Sequence, residues 1–210
     1  MKSQRTEWVL AAFTIVTAVA VWWQYRQPGS TMITMYDFFP LLGLLAFGLM
    51  WTHFVMGALR RYWDETENGR TIYQKGSMWA VLVLILAHPM ILWYALWQDG
   101  LGLPPMSQYV AYGGENILNA ALFFGVIGLN IFLLYELKRW FARKNWWKYI
   151  EQLQFVAMVL IFLHALTLGG ELAIMWYAAL WWVYGATIVL STAFTLWHDA
   201  QQAPNVKGEA

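Results

Sequence analysis

Long apolar runs divide this chain into six stretches, and that recurrence limits its possible folds more than any other feature. Each run reaches about 20 residues, enough for a helix to cross a hydrocarbon layer of roughly 30 Å. Lipid offers the backbone no hydrogen bonds, so each run must pair its own N–H and C=O groups as a helix. With 60% hydrophobic and 12% charged residues, the chain is predicted to be an all-α, integral membrane six-helix bundle in a lipid bilayer.

The ends of the runs are marked by Gly, Pro and charged residues. Residues 1–200 are expected to form one transmembrane domain, and 201–210 a polar tail. The first run resembles a signal peptide, but no small-residue cleavage site follows it, so we expect an uncleaved helix. Pro40 is expected in the first turn of the second span, where its missing N–H is tolerated. The predicted spans are 8–23, 37–59, 77–97, 116–137, 149–168 and 172–197.

The positive charges alternate between the links, which predicts the orientation. Cations concentrate after the second and fourth spans, whereas the other links hold only Arg26. Basic links stay in the cytoplasm, so both termini are expected there. The opposite face, with acidic residues such as Asp99 and Glu171, is expected to be mildly acidic. The cations after the second and fourth spans are Arg60, Arg61, Arg70, Lys75, Lys138, Arg139, Arg143, Lys144 and Lys148.

Several kinds of chemistry are excluded by what the sequence lacks. There is no cysteine, which removes disulfides, thiolate ligation, iron–sulfur clusters and thiol catalysis. There is no Gly-rich phosphate loop or nucleotide fingerprint, and a net charge of +1 gives no indication of nucleic acid as a partner. Redox chemistry in such a chain requires a bound cofactor.

Two histidines lie within apolar spans, His88 in the third and His164 in the fifth. An ionisable side chain at membrane depth is costly, so each is expected to face the bundle interior or a cofactor. Both spans cross in the same direction, and the two imidazoles can reach one level and hold a haem iron from both faces. The alternative is that each imidazole only bonds a backbone carbonyl or a neighbouring helix.

The residues around these histidines carry a resemblance to a known family. Over about residues 37–195 the chain resembles the ferric reductase-like transmembrane domain superfamily. That superfamily includes the membrane parts of NADPH oxidases and ferric reductases, and the haem subunit of the bacterial periplasmic methionine sulfoxide reductase system. The two motifs are Arg70-Thr71-Ile72-Tyr73-Gln74-Lys75-Gly76 before His88-Pro89, and Trp147-Lys148-Tyr149-Ile150-Glu151-Gln152-Leu153 before His164-Ala165-Leu166.

The resemblance implies a multi-pass haem b protein that moves single electrons towards the outer face of the bacterial inner (plasma) membrane. It makes His88 and His164 the axial haem ligands. The family places two histidines on each haem helix, 13 or 14 positions apart, so that two haems stack across the membrane. Here Gln74 and Glu151 occupy the inner positions, and neither is a usual axial ligand, so a single outer haem is expected.

Two further histidines, His53 and His198, lie on the inner side of the predicted topology. They are secondary candidates that would ligate a second haem or line a quinone site. The simpler interpretation is that His53 is a hydrogen-bonded interior group and that His198, beside Asp199, is a solvated interfacial residue.

The resemblance leaves the electron donor and acceptor open. The donor is membrane quinol or a cytosolic flavoprotein that docks on the basic links, and the missing inner haem favours quinol. The acceptor is a periplasmic partner protein, a ferric chelate or oxygen. The alternative function is a haem-free structural or assembly subunit of a membrane complex.

Overall fold

The computed structural model describes residues 2–26, 33–65, 72–104, 106–107, 111, 116–136 and 146–202. Across these residues the chain is helical without strands, and six helices are long and apolar enough to cross a membrane. The predicted all-α six-helix architecture of a multi-pass membrane protein is therefore confirmed. The helices are α1 Lys2–Tyr25, α2 Met35–Tyr62, α3 Ile72–Gln98, α4 Asn116–Glu136, α5 Trp147–Leu168 and α6 Met175–Gln202.

Most helices extend beyond the predicted spans, because helical structure continues past the apolar residues. At the start of α2, the backbone N–H of Thr34 donates to Asp37 Oδ2 at 2.6 Å, and this cap sets the first residue at Met35. Pro40 consequently lies in the second turn, so its predicted place in the first turn is wrong. Residue 137 of the fourth span and residues 203–210 of the tail lie outside the described residues.

The sixth span begins differently from the prediction. Residues 170–173 form a 3₁₀ turn, Gly170–Ala173, and α6 starts only at Met175. The amide N–H of Gly169 donates to the carbonyl of Ala165 at 2.7 Å, which closes the end of α5. This compact turn folds back against α1 and α6, and it brings its own side chains to the end of the bundle.

Helix α2 lies at the centre of one group of helices, where it packs against α1, α3 and α6. Its buried face carries two aromatic side chains, Phe47 and Trp51, and the Phe47 ring stacks on Trp181 of α6 with centroids 4.2 Å apart. Further along, Trp51 Nε1 donates to Thr187 Oγ1 at 2.7 Å. An indole N–H buried in lipid needs such a partner, so this bond fixes the rotation of α6 against α2.

Ion pairs join both ends of the chain to the end of α2. The buried carboxylate of Glu7 in α1 pairs with Arg60. The neighbouring Arg61 donates to both oxygens of Asp199 in α6, at 2.9 and 3.2 Å. The start of α1 and the ends of α2 and α6 therefore lie at one end of the bundle. That this end is cytoplasmic stays a prediction from the distribution of cations.

Helices α4 and α5 form a hairpin that packs mainly on itself. Among the described residues, its contacts with the group formed by α1, α2, α3 and α6 are far less extensive, and they occur chiefly between α5 and α6. A cavity lies between the two parts and is lined by residues of both.

The outer surface of the bundle carries large apolar side chains. Val83 on α3, Phe123 on α4 and Leu190 on α6 are all more than half exposed. Water would not tolerate so many exposed apolar side chains, whereas lipid tails accommodate them. The lipid bilayer is thus the solvent of this surface.

Candidate functional site

The cavity between the two parts has a volume of about 430 Å³ and is lined by both intramembrane histidines. His88 reaches it from α3 and His164 reaches it from α5, so the two imidazoles approach from opposite parts of the bundle. The walls are otherwise mostly apolar or aromatic, with contributions from all six helices and the 3₁₀ turn. The sequence predicted a shared level for these two residues, and both lie on the wall of one cavity.

The His88 ring is fixed by α2. Its Nδ1 lies 2.8 Å from the carbonyl oxygen of Phe39, and because a carbonyl can only accept, Nδ1 must carry the proton. The Phe39 ring also stacks on the imidazole, with centroids 4.2 Å apart and planes 10° from parallel. Position, tautomer and ring plane of His88 are therefore set by a single residue of the neighbouring helix.

The His164 ring is fixed in the same way by α4. Its Nδ1 lies 2.8 Å from the carbonyl oxygen of Ala121, so this imidazole is also protonated at Nδ1. Each histidine thus bonds the helix that precedes its own in the chain, α2 for His88 and α4 for His164.

A glycine accompanies each of these bonds, four residues after the accepting carbonyl. In an α-helix residue i+4 stands directly beside the carbonyl of residue i. A Cβ on Gly43 would lie 2.9 Å from His88 Cε1, and a Cβ on Gly125 would lie 2.7 Å from His164 Cε1. Only glycine leaves room for an imidazole at these two places. Sequence reasoning missed both, although a glycine in the apolar run before each histidine span is a visible signal.

In both imidazoles the same ring nitrogen is left available. With Nδ1 bonded to a carbonyl, the lone pair lies on Nε2, which has no hydrogen-bond partner among the described residues. Metal-binding histidines have this arrangement, in which one ring nitrogen donates to a carbonyl and the other ligates. The described residues hold no cluster of three or more His, Cys, Asp or Glu for a bare ion, whereas haem iron needs only two protein ligands.

The secondary candidates, His53 and His198, lie elsewhere. Ser77 Oγ donates to the Tyr73 carbonyl at 2.7 Å, so at 3.0 Å it must accept the proton on His53 Nε2. His198 Nδ1 lies 3.6 Å from Asp199 Oδ1 at the end of α6. Neither histidine is among the described residues that line the cavity, and their ligation of a second haem stays a prediction.

One carboxyl group does reach the cavity, that of Glu171 in the 3₁₀ turn. The sequence suggested an acidic outer surface here, but the residue is only 2% exposed. Its Oε1 is buried without a hydrogen-bond partner, and this burial raises the pKa of the Glu171 carboxyl above its usual range. The expectation of a surface charge is wrong at this residue, because the turn folds back onto the bundle.

No family model, characterised protein or solved structure matches this chain. The functional argument therefore rests on the cavity itself. Its defining features are two Nε2 atoms supplied by separate parts of the bundle, apolar walls and a buried carboxyl at one end.

Proposed function

We propose that the protein is a membrane haem b electron-transfer protein in which His88 and His164 ligate one iron. The observation that carries this proposal is the shared cavity, which is lined by two Nδ1-protonated imidazoles from separate parts of the bundle, each with its Nε2 left to ligate. When bound, haem b supplies a one-electron iron couple. The resemblance to the ferric reductase-like superfamily supports the same ligand pair.

The chain's own residues would serve this role in three ways. The carbonyls of Phe39 and Ala121 hold the Nδ1 protons and so make each Nε2 a better ligand. Apolar walls, including Leu44, Phe47 and Ile161, exclude water from the cavity. With His88 and His164 as its protein ligands, a bound haem iron would transfer electrons rather than bind oxygen covalently.

The wider assignment follows from the sequence. The cation-bearing end, with Arg60 and Arg61, faces the cytoplasm of a bacterium whose inner (plasma) membrane holds the protein. The cavity lies nearer the opposite end, so electrons move towards the outer face and a periplasmic acceptor. Since Gln74 and Glu151 do not provide an inner haem, the donor is membrane quinol, with a docked cytosolic flavoprotein as the second choice.

The test is the visible spectrum of the protein purified from haem-replete cells. We expect a dithionite-reducible, low-spin b-type spectrum that is lost in His88→Ala and in His164→Ala. The matched control is His53→Ala, which removes an imidazole bonded to Ser77 outside the cavity and should leave the spectrum intact. A colourless wild-type protein would refute the proposal and favour a haem-free structural or assembly subunit.

Haem counting tests the number of sites independently. A pyridine haemochrome assay should give one haem per chain. Two haems per chain, with the second lost in His53→Ala or His198→Ala, would contradict the single-haem assignment and restore the second site.

A further inference from the structure

The polar groups that line the cavity gather at the end that we assign to the outer face. Tyr25 at the end of α1, Tyr36 at the start of α2, Trp93 near the end of α3 and Glu171 in the 3₁₀ turn all lie there. The walls towards the other end are apolar, with Met50, Leu129 and Phe132 among them. A ligand that fills this cavity therefore meets a polar environment at one edge only.

Two of these polar groups are buried without a partner. Trp93 Nε1 and Glu171 Oε1 have no hydrogen bond among the described residues, although both are inaccessible to water. A buried polar atom without a partner destabilises the folded protein. Trp93 and Glu171 both line the polar end of the cavity, so a ligand with polar substituents at this edge would offer these atoms partners after a small rotation of either side chain.

Burial favours the neutral form of the Glu171 carboxyl and raises its pKa, against a hydrogen bond from its own backbone that favours the ionised form. The turn packs against α1 and α6, from which Tyr25 and Tyr177 are the titratable groups that face it. The cation at the end of the turn's neighbour α1, Arg26, lies over the Trp22 ring, 5.4 Å from its centroid, and its charge acts on Asp37. No ion pair to Glu171 exists within the part of the chain that the structure describes. A neutral carboxyl has an O–H to donate, so its natural partner is an acceptor.

We propose that Glu171 binds the propionate edge of the haem, donating a hydrogen bond from its neutral carboxyl to a propionate carboxylate. This inference depends on the proposed function, since it concerns the same cavity. Haem carries its two carboxylates on one edge and apolar substituents on the others, which matches the polarity of the walls. The propionates then point towards the outer face, and Glu171 fixes the orientation of the ring.

The experiment compares haem with its dimethyl ester, in which both carboxylates are blocked. Apoprotein is loaded with either compound, and the dissociation rate is measured by transfer to an excess of apomyoglobin. A hydrogen bond to a charged group is worth about 1.5–3 kcal/mol, so wild type should release haem roughly 10-fold or more slowly than the ester. In Glu171→Leu this preference should disappear, whereas Glu171→Gln, which keeps a neutral donor, should retain it.

A matched control variant and a second measurement accompany this experiment. Asp99→Asn alters another outer-side acid that is not among the described lining residues, and it should leave the preference unchanged. The midpoint potential of wild type should fall as pH rises, because an ionised Glu171 stabilises the ferric iron, and Glu171→Gln should weaken this dependence to the part that the haem propionates contribute in both proteins. This readout serves also if the leucine variant does not fold.

The possible failures are distinguishable. If wild type takes up no haem, the proposed function itself is wrong. If wild type gives the bis-imidazole spectrum but Glu171→Leu still prefers haem to its ester, only the role of Glu171 is refuted. The same conclusion follows if the midpoint potentials of wild type and Glu171→Gln depend equally on pH, which would be the result if Glu171 instead served a quinol ring.

Discussion

At the scale of single residues, the site depends on backbone carbonyls and glycines that would not themselves ligate a metal or react. Each imidazole is oriented by a backbone carbonyl, and each carbonyl is accessible because a glycine stands four residues further along the same helix. The histidines could be singled out from the sequence because a titratable group in an apolar run is costly. Phe39, Gly43, Ala121 and Gly125 could not, because their role depends on how one helix is rotated against the next.

Gly125→Ala tests this arrangement. The new methyl group would lie within 2.7 Å of His164 Cε1 and Nδ1, so the ring must move away from the Ala121 carbonyl. Overpacking of this kind costs about 1–3 kcal/mol. We expect a lower haem content per chain and a lower thermal midpoint in detergent.

The matched control for this change is Gly76→Ala in α3, where a Cβ meets nothing within 4 Å. Replacing a helical glycine by alanine at an open position stabilises by up to ~1 kcal/mol, so this variant should be as stable as wild type or more so. If both variants behave alike, steric crowding at His164 is not the cause.

Glu171 should make the stability of the apoprotein depend on pH. Its pKa is raised by burial above the ordinary value of 4.5, so the folded chain holds a proton that the unfolded chain has already released. Between the two pKa values the folded state binds more protons, and stability therefore falls as pH rises. Thermal midpoints measured in detergent from about pH 5 upwards, at constant salt and detergent concentration, should show this fall in wild type.

Glu171→Gln is the comparison for this series, since an amide does not ionise. Its thermal midpoint should fall less over the same pH range, and the difference between the two proteins should grow with pH. Parallel curves for wild type and variant would mean that the carboxyl does not titrate differently in the folded and unfolded chain.

At the scale of helices, hydropathy predicted how many there are, and capping decided where they begin. The apolar runs located all six, because lipid requires every spanning segment to bond internally. The start of α2 at Met35 follows from the bond between Thr34 and Asp37, and the 3₁₀ turn at Gly170–Ala173 follows from local backbone geometry. Mean hydropathy is insensitive to both of these local interactions, so the predicted starts of α2 and α6 were misplaced.

The α4–α5 hairpin should depend on the cofactor more than the rest of the bundle does. It packs mainly on itself, and a ligand held by both His88 and His164 would join it to α3. Hydrogen exchange measured with and without haem should therefore give greater protection of α4 and α5 in the loaded protein, with little change in α1 and α2.

His164→Ala, incubated with haem, supplies the control for that measurement, because the link between the two parts is then removed. The hairpin should exchange as in the apoprotein. An equal gain of protection in all six helices would contradict the picture of two parts joined by a ligand.

At the scale of the whole molecule, the predicted orientation can be tested on a background without cysteine. Tyr62 at the end of α2 and Leu103 are both exposed. Tyr62 precedes α3 in the chain and Leu103 follows it, so the two residues are expected on opposite sides of the membrane. In intact cells a membrane-impermeant thiol reagent should label Leu103→Cys from outside. Tyr62→Cys should react only after the membrane is permeabilised, and the reverse pattern would overturn the assignment of the cytoplasmic face.

The order of the helices also has a consequence for biogenesis. Trp181, which forms part of the cavity wall, belongs to α6, and α6 leaves the ribosome after the other five helices. A nascent chain that has inserted only these five helices lacks this wall, so the pocket closes only after α6 has followed them. Under the proposed function, a chain truncated before Met175 should therefore insert into membranes yet fail to retain pigment.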